Sequence, residues 1–161
     1  MTMSSPTQVH VSGQSVLGLI GNTPLLSLSA IERQARGARL FAKAEWFNPG
    51  GAVKDRAAAS IIADAEERGL IRPEKTLLDA TSGNTGVAYA MICAAKGYRV
   101  TLCVPKNANA QVAAIMRAYG ATVVETDAMQ GSDGAIREAR RLAVEQPDRY
   151  VYLDQDRKSV V

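Results

Sequence analysis

Thr76-Leu77-Leu78-Asp79-Ala80-Thr81-Ser82-Gly83-Asn84-Thr85-Gly86, continued by the apolar run over residues 87–95, decides the fold. A short β-prone run, a polar glycine-containing turn and an apolar helix follow one another, and Gly97 closes the helix. The same alternation continues on both sides. Residues 40–44 look like a strand, and from Asp55 the residues Ala58, Ile61, Ile62 and Ala65 recur at helical spacing until Gly69. Residues 99–104 read as a strand stopped by Pro105, followed by a helix through Ile115 and Met116 that ends at Gly120. Residues 121–124 form another strand, Ile136, Ala139 and Ala143 mark a helix, and residues 150–153 a final strand. Strands alternating with helices of this length predict an α/β fold, a parallel sheet with helices on both faces. Such sheets bind ligands in the loops at the carboxyl ends of their strands.

The totals agree with one packed domain. The chain has 161 residues, 47% hydrophobic and 22% charged, which is ordinary globular usage. Residues 1–16 are polar and read as a loose arm. The net charge of +3 is interleaved rather than clustered, and aromatics are only 5%, so no nucleic-acid surface is expected. Cys93 and Cys103 match no zinc or redox spacing and read as buried reduced thiols. His10 is the only histidine, which excludes histidine triads and histidine metal clusters, so no metal site is expected. No basic leader precedes an apolar core, and no apolar run approaches the roughly 18 residues of a membrane span. No signal peptide and no membrane segment are therefore expected, and the cytoplasm is the expected location.

Two loops carry chemistry. In Asn48-Pro49-Gly50-Gly51-Ala52-Val53-Lys54-Asp55-Arg56, the Asn-Pro and Gly-Gly pairs force a turn and let backbone approach a bound group. Lys54 then falls at a helix start, where the dipole is positive. That field, with burial, favours the neutral amine, a nucleophile able to form an imine with a carbonyl. A surface lysine after a turn is the competing reading. The second loop, Thr81-Ser82-Gly83-Asn84-Thr85-Gly86, offers three hydroxyls, one amide and backbone N–H groups at a helix start, which suits a phosphate or carboxylate. It has neither the lysine of a Walker loop nor the dinucleotide spacing. An ordinary cap at Ser82 or Asn84 would need only one of its four polar residues.

Together the two loops resemble the cysteine synthase and cystathionine β-synthase family of pyridoxal-phosphate enzymes, as does Ile20-Gly21-Asn22-Thr23-Pro24-Leu25. The resemblance runs from about residue 17 to residue 155 and implies the tryptophan synthase β-like (fold type II) architecture. It implies pyridoxal 5′-phosphate as cofactor and Lys54 as the catalytic Schiff-base lysine that also takes the substrate's α-proton. Asn84 matches the asparagine that bonds the cofactor's 3′ oxygen. Thr81, Ser82, Gly83 and Thr85 match the loop that grips the substrate α-carboxylate, and Gln155 the glutamine that joins it on closure. Residues 87–154 would be the mobile part that closes over the site.

The dehydratases of the wider fold carry histidine where Thr85 stands and phenylalanine where Val53 stands, so the resemblance is to the β-replacement branch. O-acetylserine with sulfide is the expected substrate pair, and condensation of serine with homocysteine is the alternative. A homodimer and a serine acetyltransferase tail are the partners the resemblance implies. No haem is expected, because His10 has no nearby cysteine. Ala52 departs from the family's usual serine, and residues 156–161 do not resemble the family's continuation. Residues 17–161 therefore read as the N-terminal portion of such an enzyme with the C-terminal half absent. A non-catalytic remnant or interaction module is the reading of different class.

Overall fold

The computed structural model describes residues 15–32 and 37–154; residues 1–14 of the expected arm and Gln155 lie outside them. Among the described residues the central sheet has four strands, β3 (Thr76–Ala80), β4 (Val100–Pro105), β5 (Thr122–Thr126) and β6 (Tyr150–Tyr152). Their order is β5-β4-β3-β6 and every pairing is parallel. The helices between them are α3 (Asn84–Lys96), α4 (Ala110–Ala118) and α5 (Gly131–Glu145), with α2 (Lys54–Glu67) preceding β3. This is the α/β architecture expected from the alternation.

Period-2 side-chain alternation divides the core between the two sheet faces. Leu77, Val100, Leu102, Val104 and Val151 pack with buried residues of α3, with Ala58 and Ile62 of α2, and with Met116 of α4. Leu78, Ala80, Cys103 and Tyr150 pack on the other face beneath Ala135, Ala139 and Leu142 of α5. From Thr85 to Cys93 every residue of α3 is buried, which is why its sequence shows an unbroken apolar run rather than a stripe. Cys93 and Cys103 are both buried, and burial pushes each thiol up to about 12, far from reactive thiolate character.

The N-terminal region differs from expectation. Residues 40–44 do not join the parallel sheet. Phe41–Lys43 (β2) pairs antiparallel with Leu25–Ser27 (β1) in a separate two-stranded sheet. A short helix, α1 (Ser29–Glu32), follows β1. Leu25, Leu26 and Phe41 are exposed, so neither strand has a buried face to announce it by alternation. Helix starts also came earlier than apolar periodicity suggested. α3 begins at Asn84 rather than residue 87, because its first turn is built from polar loop residues.

Candidate active site

Lys54 is the first residue of α2, and its side chain opens onto a cleft of about 340 Å³. The same cleft is lined by Ala80, Thr81, Ser82, Gly83, Asn84 and Thr85 from the end of β3 and the start of α3. It therefore lies at the carboxyl end of a parallel strand, where open α/β sheets place ligands. The two loops singled out in the sequence, nearly thirty residues apart, meet in one opening. Ser132 and Ile136, from the first turns of α5, complete the lining. Sequence reasoning missed both, and the only signal was a Gly-Ser-Asp-Gly helix start resembling ordinary punctuation. Gln155 lies outside the described residues.

Burial around Lys54, expected to help neutralise the amine, is not found: Lys54 is exposed, and what its position does supply is the helix start. The expected cap at Ser82 or Asn84 is also replaced. Gly83 occupies the cap position, and the Thr81 hydroxyl accepts from Gly86 N–H at 3.1 Å and Gly83 N–H at 3.4 Å. Thr81 is thus buried and engaged with backbone, whereas Ser82 and Asn84 are exposed and face the cleft unspent on the cap. The Thr85 side chain is buried beside them.

A polar hub behind the Lys54 loop explains how that loop is held. Arg56 Nε donates to Glu45 Oε2 at 3.0 Å, and its Nη2 donates to Glu45 Oε1 and Thr23 Oγ1, each at 3.1 Å. Thr23 Oγ1 donates to Glu45 Oε1 at 2.9 Å, and Asn48 Nδ2 donates to Glu45 Oε2 at 2.8 Å. Asn48 Oδ1 accepts from Gly21 N–H at 2.8 Å, and Lys43 bonds the Thr23 carbonyl. The Ile20–Leu25 motif and the Asn48–Arg56 motif are therefore clamped together through Glu45, a residue that no motif marks. Within the loop, Gly50 N–H donates to Asp55 Oδ2 at 2.5 Å, and a Cβ on Gly50 would sit 2.4 Å from Asp55 Oδ1. Only glycine allows that approach.

The Arg56 guanidinium, helped by Asn48 and Thr23 and opposed by desolvation, lowers the Glu45 carboxyl to about 2 from its ordinary 4.5. A carboxylate depressed on folding adds stability above its unfolded pKa and loses it as pH falls toward its folded one. The stability difference between wild type and Glu45→Gln is therefore expected to close as pH falls from 4.5 to about 2. Asp55 shifts the other way, because burial raises its pKa. It is present in both proteins, so the difference cancels it. Thermal melts of the pair across that range check this; a gap that stays constant contradicts the hub.

The donor set fits pyridoxal phosphate. A primary amine and a side-chain amide, Lys54 and Asn84, open on one cleft beside unspent hydroxyl and backbone groups. Among the described residues lining it, Lys54 is the only charged one, and none carries a carboxylate to oppose an anion.

Comparison with known proteins agrees. The family model described as pyridoxal-phosphate dependent enzyme matches residues 16–160, past residue 155 and into the segment that does not resemble the family's continuation. The chain is 46% identical over 144 residues to the cysteine synthase of Aquifex aeolicus, covering 88% of this chain and 44% of that protein. It is 48% identical over 130 residues to cysteine synthase B of Escherichia coli, covering 81% and 41%. The crystal structure of the cysteine synthase from Entamoeba histolytica superposes with a TM-score of 0.82 at 34% identity, covering 95% of this chain and 46% of that one. The chain thus spans less than half the length of these relatives. Matched by the family model over residues 16–160 and by these relatives in sequence and fold, the chain belongs to the pyridoxal-phosphate dependent enzyme family.

Proposed function

We propose that this chain is the lysine-bearing portion of an enzyme that replaces the β-substituent of an O-activated serine, with O-acetylserine and sulfide as the first substrate pair. The observation that carries the proposal is the single cleft shared by Lys54 and the Thr81–Thr85 loop. The cysteine synthase names of the relatives from Aquifex aeolicus and Escherichia coli support the choice of reaction. When bound, pyridoxal phosphate supplies the electron sink that accepts charge from the substrate's Cα.

This chain's residues supply attachment, orientation and proton transfer. Lys54 Nζ is the attachment point, and its place at the first turn of α2 holds it at the cleft mouth. The same Nζ would take the proton from the substrate's Cα. The Asn84 amide orients the cofactor ring. Ser82, the Thr85 hydroxyl and the N–H groups at the start of α3 hold the α-carboxylate, as helix N-termini hold anions. Thr81 acts one step removed, since its hydroxyl is committed to Gly86 and Gly83. Gln155 joins the carboxylate grip in this reading. In this reading residues 87–154 close over the cleft. A homodimer, an acetyltransferase tail in the cleft and a cytoplasmic location belong to the same proposal. Among the described residues no helix is long and apolar enough to cross a membrane.

The test is selective labelling. The purified chain is incubated with pyridoxal phosphate, reduced with borohydride and mapped by peptide mass spectrometry. The label is expected on the Lys54 peptide well above other lysines and to vanish in Lys54→Ala. Labelling spread evenly over surface lysines would sink the proposal for this polypeptide.

A further inference from the structure

The cleft has a second wall that the expected site residues leave unused. Ser132 and Ile136 stand four residues apart on α5, so they share one helix face, and both line the cleft opposite the Lys54 and Thr81–Thr85 side. That face is rigidly set. Ala135, Ala139 and Leu142 bury the adjoining stripe of α5 against β3, β4 and β6. A Cβ at Gly134 would lie 2.6 Å from the Gln130 Cβ, so glycine lets the first turn seat against the preceding residues. The wall therefore presents one hydroxyl and one branched alkyl group in a fixed arrangement, with no charge.

We infer that Ser132 is a specificity-determining residue that reads the leaving group of the substrate. This rests on the β-replacement proposal. An amino acid held by its carboxylate on the α3 loop and worked on by Lys54 has only its side chain left to meet the α5 wall. A short, neutral O-acyl group fits that wall: its carbonyl oxygen accepts from the Ser132 hydroxyl while its alkyl end packs on Ile136. A charged side chain finds no partner there.

The experiment follows amide shifts of the cofactor-free, ¹⁵N-labelled 161-residue chain titrated with O-acetyl-L-serine or L-norleucine, which has a side chain of similar length without the carbonyl. In wild type both ligands should shift amides of residues 81–85 and 132–136. Ser132→Ala should weaken O-acetyl-L-serine about fivefold, the effect of one lost neutral hydrogen bond, and leave L-norleucine unchanged. Ser132→Thr, which keeps the hydroxyl, should restore the preference, and Ser82→Ala should weaken both ligands alike. Alanine at an exposed helical position is well tolerated, so folding is not at issue. If Ser132→Ala weakens both ligands equally, or neither, the inference is overturned while the β-replacement proposal stands. If neither amino acid shifts any cleft amide in wild type, the amino-acid reading of the cleft falls, and this inference with it.

Discussion

Gly86→Ala is expected to destabilise the chain by about 1–3 kcal/mol, the usual cost of forcing an extra carbon into a filled core. The backbone at Gly86 is ordinary helix, so the cost is purely one of space. A Cβ there would lie 2.3 Å from Met116 Cε and 2.5 Å from Thr81 Cγ2. The methionine end can swing away. The threonine cannot: it is buried and β-branched, and its hydroxyl receives the Gly86 and Gly83 N–H groups. Displacing it uncaps α3 and shifts the whole loop from Thr81 to Thr85. A lowered melting temperature together with shifted loop amides would be the measured result. Destabilisation without loop shifts would mean that Met116 alone absorbs the methyl group, and that the Thr81 cap is softer than its geometry implies.

Leu78→Ala should cost more, about 2–5 kcal/mol, because it empties a fully buried position. That is a large share of the 5–15 kcal/mol that keeps a typical domain folded. Leu78 lies on the α5 face of β3, in the cluster with Ala135, Ala139 and Leu142. Those partners are mostly small, so Leu78 provides much of the bulk between helix and sheet. Its loss should loosen α5 in particular. In denaturant melts Leu78→Ala and Leu77→Ala should both lower the midpoint, since both residues are buried. Leu78→Ala should speed amide exchange more in α5 than in α3, and Leu77→Ala more in α3 than in α5. Equal effects on both helices would contradict the division of the core by sheet face.

What was legible in the sequence follows from which interactions are local. β3 was bounded correctly because all five of its residues are buried, giving an uninterrupted β-prone run between polar punctuation. The helix start at Lys54 and the loop after β3 were legible because turn residues announce themselves within a few positions. β1 and β2 were not read as a pair, since three-residue strands with exposed apolar side chains carry no alternation. The Glu45 hub was invisible for a different reason. Apart from the short-range Asn48–Glu45 bond, its bonds join residues 11 to 33 positions apart, and nothing in Glu45's neighbourhood distinguishes it from a surface acid. Ser132 and Ile136 enter the cleft only because α5 crosses the opposite sheet face, a tertiary fact that no window of sequence contains. The burial expected at Lys54 failed because position on a helix is local and burial is not.

The strand order β5-β4-β3-β6 has a consequence for synthesis. β3, β4 and β5 can assemble in the order in which they leave the ribosome, each beside its predecessor. β6 comes last and pairs with β3, Thr76 against Tyr150 and Leu78 against Tyr152. The outer edge of the first sheet strand made is thus held vacant until the last one emerges. Throughout that interval a nascent chain carries an unpaired, apolar strand edge, the kind of surface that recruits strangers. A stop codon or a ribosomal stall shortly before Tyr150 would prolong that exposure, although every residue lining the described cleft had already been made.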